Sequence, residues 1–135
     1  MRGLLDTSVV VALSQLDADQ LPGEPLISAV TLAELTVGPL VAADDLERAR
    51  RQAVLQQAEA DFEPLPFDAA SALAFGQVAA SLRKANRKAT ARAYDALIAA
   101  TALAHGLPLY TANPADVEVI DGLSVYNVRV PAPHQ

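Results

Sequence analysis

Cysteine is missing from the 135-residue chain, and tryptophan with it. No disulfide, thiol nucleophile or cysteine-based zinc site is therefore open to it. Histidine occurs only as His105 and His134, which excludes a histidine-rich metal centre and a paired-histidine ribonuclease. Aromatic residues make up 4% of the chain and form no cluster, so a base-stacking platform for single strands is not expected. Positive charge is short as well: ten bases against sixteen acids leave a net charge of −6. That balance argues against a sequence-independent nucleic-acid coat, whose affinity comes mainly from neutralised phosphates. It does not exclude a nuclease that meets phosphate through a bound cation. No apolar run approaches the ~20 residues that a membrane span needs. Asp6 interrupts the short stretch Gly3-Leu4-Leu5 too early for a signal peptide, so a cytoplasmic protein is the default.

What is present is a chain long enough for one domain with its own core. Apolar residues are 52% of it and alanine alone supplies 28 positions, so closely packed helices are expected to matter more than bulky side chains. Residues 1–130 read as a single domain and Pro131–Gln135 as a short tail. No internal repeat, low-complexity tract or linker interrupts the chain.

Strand and helix signals alternate. Gly3-Leu4-Leu5 reads as a first strand, and Val9–Leu13 either continues it or opens a helix. After the breakers Pro22, Gly23 and Pro25, the segment Pro25–Ser28 reads as a second strand. A helix is expected from near Thr31 to the stop signal Gly38-Pro39. Asp44 and Asp45 are caps for the next helix, with Leu46, Ala49, Ala53 and Ala60 on one stripe. Phe62–Phe67, with Pro64 and Pro66, fits a third strand at a sheet edge, where missing donors are tolerated. Asp68 caps a helix carrying Ala72, Phe75, Ala79 and Leu82, and a further helix runs from about Thr90 to His105, ended by Gly106 and Pro108. Leu107–Thr111 and Ser124–Val130 complete about five strands. The expectation is an α/β three-layer sandwich around a mainly parallel sheet. In such a fold strand C-termini and helix N-termini share one edge, and sites lie there.

Four carboxylates map to that edge: Asp6 after the first strand, Glu34 in the first turn after the second, Asp95 near the start of the Thr90 helix, and Asp116 after the fourth strand. Each has a plainer use. Asp6 fits a helix cap; Thr31-Leu32-Ala33-Glu34 fits a capping box; Asp95 complements a helix dipole; Asp116 is an ordinary loop acid. Asp95, however, is the one acid entering the apolar run Ala96-Leu97-Ile98-Ala99-Ala100, where an unpaired charge is costly. Gathered at one edge, the four would repel, and a shifted pKa or a bound cation must relieve that. Oxygen donors without His or Cys suit Mg²⁺ or Mn²⁺, ions that activate water and hold phosphate oxygens. Five of the ten bases, Arg83, Lys84, Arg87, Lys88 and Arg92, fall just before Asp95. They are either a solvated connection or a phosphate-gripping rim. His105 fits a helix C-terminus and His134 the tail, neither with a chemical role.

The same residues carry a resemblance. Leu4-Leu5-Asp6-Thr7-Ser8-Val9, Ile27–Leu35 with Glu34, Asp95–Ala102, and Leu109–Asn113 with Asp116 resemble, in order and spacing, the motifs of PIN-domain ribonucleases, specifically the VapC-type toxins of prokaryotic toxin–antitoxin pairs. The likeness spans nearly the whole chain. It departs at Val117, where the family commonly has an aromatic after the last acid, and at Pro114, which stiffens that loop. The resemblance implies metal-ligand roles for Asp6, Glu34, Asp95 and Asp116, and supporting hydrogen bonds from Thr7 and Thr111 with Asn113 nearby. It also implies Mg²⁺- or Mn²⁺-dependent endoribonuclease activity, inhibition by a cognate antitoxin protein, and homodimerisation. Two other readings compete. One is a catalytically silent PIN-like module binding RNA or protein, which should have lost one of the four acids. The other is a phosphoacceptor receiver domain, which lacks support because Asp6 has no acidic neighbour and Val128-Arg129-Val130 contains no lysine.

Overall fold

The computed structural model describes residues 1–131, so His134 and most of the expected tail lie outside the described residues. Strand β1 (Arg2–Leu5) leads into helix α1 (Thr7–Val11), then β2 (Glu24–Leu26), α2 (Ala29–Val37), α3 (Asp45–Asp61), α4 (Ala69–Lys84), α5 (Ala93–Ala104), β3 (Leu109–Thr111) and β4 (Val125–Asn127). The strands form one sheet in the order β2-β1-β3-β4, every pairing parallel. Leu4 sits opposite Leu26 on one side and Leu109 on the other, which makes β1 a central strand.

Successive strand residues face opposite sides, and the core divides accordingly. Leu4 and Leu109 join Val78 and Leu82 of α4 and Ile98, Ala99 and Ala102 of α5 beneath one face. Leu5 and Tyr110 join Val9 and Val10 of α1, Leu35 of α2 and Ala58 of α3 beneath the other. The result is the expected three-layer α/β sandwich. The alanine-rich face of α5 lets it approach α4 and the sheet closely, since Ala99, Ala100 and Ala102 are wholly buried. Gly106 ends α5 at φ +64°, a left-handed conformation that glycine adopts without the cost a Cβ brings.

Several boundaries differ from the sequence expectation for identifiable reasons. Val9–Leu13 is no strand, because Asp6 caps a helix there; a 3₁₀ turn at Leu13–Gln15 follows it. Helix α2 starts at Ala29 and not near Thr31, with the Ser28 hydroxyl taking the Thr31 N–H at 3.1 Å. The Thr90 helix opens as a 3₁₀ turn, Ala89–Arg92, before α5 proper. Phe62–Phe67 contributes a single parallel bridge, Ser28 to Leu65, beyond β2. Leu65 gives its N–H to the Ile27 carbonyl and takes that of Ala29, while Pro64 and Pro66 have no N–H with which to extend the ladder. The described sheet therefore has four strands where about five were expected.

Candidate metal centre

Parallel pairing brings the C-termini of β1, β2 and β3 to one edge, and the four acids are built around it. Asp6 follows β1 directly and is nearly buried, at 7% exposure. Its Oδ1 accepts the Val9 N–H at 3.2 Å, so it is the cap of α1, and it also accepts from the Ser8 hydroxyl at 2.6 Å. Cap and candidate ligand are thus one side chain. Ser8 Oγ in turn accepts the Ala112 N–H at 3.1 Å and ties the start of α1 to the chain leaving β3. Sequence reasoning missed Ser8; the Asp-x-Ser spacing at a strand end was the available signal, since such hydroxyls bond locally.

Glu34 lies in the second turn of α2, because Ser28 rather than a later residue caps that helix. The capping box is not formed. Glu34 Oε1 instead accepts from Thr7 Oγ1 at 2.6 Å, and the Thr7 oxygen also meets Thr31 Oγ1 at 3.1 Å. Asp95 stands in the first turn of α5, where a helix N-terminus favours negative charge. Asp116 closes a 3₁₀ turn, Pro114–Asp116, and its Oδ2 lies 3.5 Å from Arg92 Nη1. Val117, the departure from the family pattern, is buried in the core beneath that turn. Thr111 is buried and its hydroxyl accepts the Asn113 N–H at 3.0 Å, which shapes the turn; the Asn113 side chain is exposed.

Burial pushes the Glu34 carboxyl above its ordinary value; the Thr7 hydrogen bond opposes the rise, and the charges of Asp95 and Asp6 add to it. Burial likewise pushes Asp95 up, the charges of Asp6 and Asp116 add to the rise, and Arg92 opposes it. Asp6 therefore acts on both Glu34 and Asp95, and Asp116 on Asp95, which links all four into one repulsive group. The donor set is all oxygen and fits a hard divalent cation in its chemistry. As the side chains stand, no three His, Asp or Glu groups among the described residues are gathered into a ready ligand set. Glu34 is turned toward Thr7 and Asp116 toward Arg92, so each has a partner to exchange.

Two hollows reach the three acids other than Asp6. One, of about 300 Å³, is lined by Thr7, Glu34, Glu47 and Arg51 among others. The other, of about 260 Å³, has Asp95 and Asp116 in its wall together with Arg87, Lys88 and Arg92. Arg87 Nη1 donates to the Ala115 carbonyl at 2.6 Å and so pins the basic segment to the Asp116 turn. Arg83 and Lys84 lie in the last turn of α4 and do not line this hollow. His105 caps the C-terminal end of α5 and sits 3.9 Å from Asp68, at the other end of that helix from Asp95.

The family model described as "PIN domain" matches residues 3–121 of the chain. The chain is 39% identical over 132 residues to a protein named Ribonuclease VapC5 from Mycobacterium tuberculosis, covering 95% of each. It is 31% identical over 129 residues to one named Ribonuclease VapC1 from Rickettsia felis, covering 93% of this chain and 95% of that one. Among solved structures, a member of the VapBC family of toxin–antitoxin systems, VapBC-5 from Mycobacterium tuberculosis, superposes with a TM-score of 0.80 at 38% identity, over 96% of this chain and 98% of that one.

Proposed function

The chain belongs to the PIN-domain family, among the VapC-type ribonucleases, and we propose that it is the toxin of a toxin–antitoxin pair, a Mg²⁺- or Mn²⁺-dependent endoribonuclease. The observation that carries the reading is the electrostatic coupling of Asp6, Glu34, Asp95 and Asp116 at one sheet edge, where Glu34 and Asp95 are held above their ordinary pKa values. When bound, a hard divalent ion supplies an activated water and positive charge for the phosphate oxygens.

The chain's own residues have separable tasks. Asp6 is fixed by Ser8 and the Val9 N–H, so it is the rigid member of the set. Glu34 is oriented by Thr7, and Asp95 is placed by the first turn of α5. Arg87, Lys88 and Arg92 grip the RNA backbone beside the acids, which offsets the overall charge of −6. No protein nucleophile is required, in keeping with the absent cysteine and with His105 placed at the far end of α5.

Inhibition by a cognate antitoxin and assembly as a homodimer belong to the same proposal; the first is supported by the VapBC toxin–antitoxin relative. No described helix is long and apolar enough to cross a membrane. The deciding experiment compares RNA cleavage by the wild type and Asp6→Asn with Mg²⁺, with Mn²⁺ and with chelator. Cleavage is expected only from the wild type with metal; equal cleavage by both proteins, or activity surviving the chelator, would defeat the proposal. Retention of metal-independent RNA binding with no cleavage at all would favour the silent-module alternative.

A further inference from the structure

The hollow beside Asp95 and Asp116 has two halves of different chemistry. Its mouth carries Arg87, Lys88 and Arg92 as well as the two acids. Its inner wall is aliphatic: Leu82, Ala96, Val117 and Ile120, each buried in the core cluster under α4 and α5. At about 260 Å³ it is smaller than the ~300–1,000 Å³ of pockets for drug-sized ligands. The space suits one ring system attached to an anionic group.

We propose that this hollow is a nucleotide subsite, in which one base of the RNA rests on the aliphatic wall while Lys88 and Arg92 hold its phosphate beside the acids. The inference rests on the nuclease reading of the edge and extends it to how the strand is positioned. Charge complementarity identifies the occupant. Three exposed cations outnumber the two acids in the lining and stand beside its apolar wall, and an RNA strand offers a flat ring and a phosphate in that relation at every residue. One tie spans the hollow: the Arg87 bond to the Ala115 carbonyl joins the segment before α5 to the turn after β3. With no aromatic side chain in its lining, the recess selects a base by size and shape and not by stacking. A choice of cleavage site would then be written partly in Ala91, Val117 and Ile120.

The test is binding of 5′-mononucleotides against ribose 5-phosphate, followed by amide chemical shifts with Mg²⁺ present. Neither ligand contains a phosphodiester, so turnover does not enter. At least one mononucleotide should bind about tenfold more tightly than ribose 5-phosphate and shift the resonances of Ala96, Val117 and Ile120. Ala91→Phe fills the recess from an exposed position in the Ala89–Arg92 turn and should erase the advantage of the base. Ala91→Leu, a smaller plug, should erase it in part and serves if the Phe variant folds poorly. Mononucleotides that bind no better than ribose 5-phosphate, or an advantage that survives both plugs, would overturn the subsite. RNA cleavage is measured separately, so a protein that cuts RNA without base-dependent binding refutes only the subsite. One that binds bases and never cuts RNA refutes only the nuclease.

Discussion

Asp95→Asn removes a charge without removing volume, and its effect on stability should change sign with metal. In the metal-free protein the half-buried Asp95 carboxylate is disfavoured by burial and by the charges of Asp6 and Asp116, with Arg92 in partial compensation. Asparagine relieves the repulsion but gives up the helix-dipole interaction of ~0.3–1 kcal/mol. A net gain of about 1 kcal/mol is expected, within the ~0.5–2 kcal/mol that charge optimisation commonly yields. For a chain of 135 residues the entropy of unfolding is roughly 0.28 kcal/mol/K, so the melting temperature rises by about 3–4 °C. Metal reverses the order. An ion at about 100 times its Kd stabilises the wild type by ~2.7 kcal/mol, roughly 10 °C. A variant that binds about a hundredfold more weakly gains only ~0.4 kcal/mol at the same concentration. Thermal unfolding of both proteins, in chelator and in a Mn²⁺ series, reads the crossing directly. A variant no more stable than the wild type in chelator would refute the repulsion, and equal metal-induced shifts would refute the ligand role.

Three further outcomes are expected. Ser8→Ala should cost about 1–3 kcal/mol, read from urea midpoints, because it deprives the Ala112 N–H and Asp6 of a shared partner; a neutral result would mean that water replaces the hydroxyl. Lys88→Glu should weaken RNA binding in chelator and lower the slope of log affinity against log salt by about 0.7 per lost phosphate contact. Lys88 is the cleaner probe of the rim, since Arg87 also holds the Asp116 turn, and an unchanged slope would remove it from the RNA path. The Asp68 carboxyl is held below its ordinary value by the Ser71 N–H and hydroxyl, each at 2.9 Å, with His105 adding. Its charged form therefore stabilises the fold above the ordinary carboxylate range, and that contribution disappears as pH falls through the lowered value. Asp68→Asn should lag the wild type at neutral pH and converge with it in acid; a constant gap in urea midpoints would contradict the assignment.

The layers and most elements were legible because they rest on patterns that tertiary context seldom overrides. Breakers such as Gly38-Pro39 and caps such as Asp44 and Asp68 ended and started helices where expected. Short elements were harder. Val9–Leu13 is a run of five apolar residues that serves a strand or a helix equally well. Its fate was settled by Asp6, whose cap commits the backbone to turn. Phe62–Phe67 has the aromatic ends of a strand, but its two prolines leave Leu65 as the one residue paired in both directions. The acids could be listed from the sequence, since Asp6 follows a strand and Asp95 opens a helix, while Glu34 and Asp116 fall within a turn or two of a strand end. Their present partners could not, because the Thr7–Glu34 bond joins residues 27 apart and no periodicity encodes such a contact.

The partners explain how a domain of this size tolerates four acids on one edge. Three of the carboxylates hold contacts that would exist in a protein without a site: Asp6 caps α1, Glu34 takes the Thr7 hydroxyl and Asp116 faces Arg92, while Asp95 stands in the first turn of α5, where a helix N-terminus favours its charge. These contacts lower the cost of repulsion while leaving Glu34 and Asp95 above their ordinary pKa values. They also differ in how readily they exchange. The Asp6 bond to the Val9 N–H is buried and that to Ser8 partly so, whereas the Arg92–Asp116 pair is 3.5 Å long and joins a largely exposed arginine. An exposed pair of that kind is worth ~0–1 kcal/mol and yields easily to a stronger partner. Asp6 is thereby the fixed point of the edge and Asp116 its adaptable member; in the proposed nuclease, an Asp116 turned to a cation would free Arg92 for phosphate.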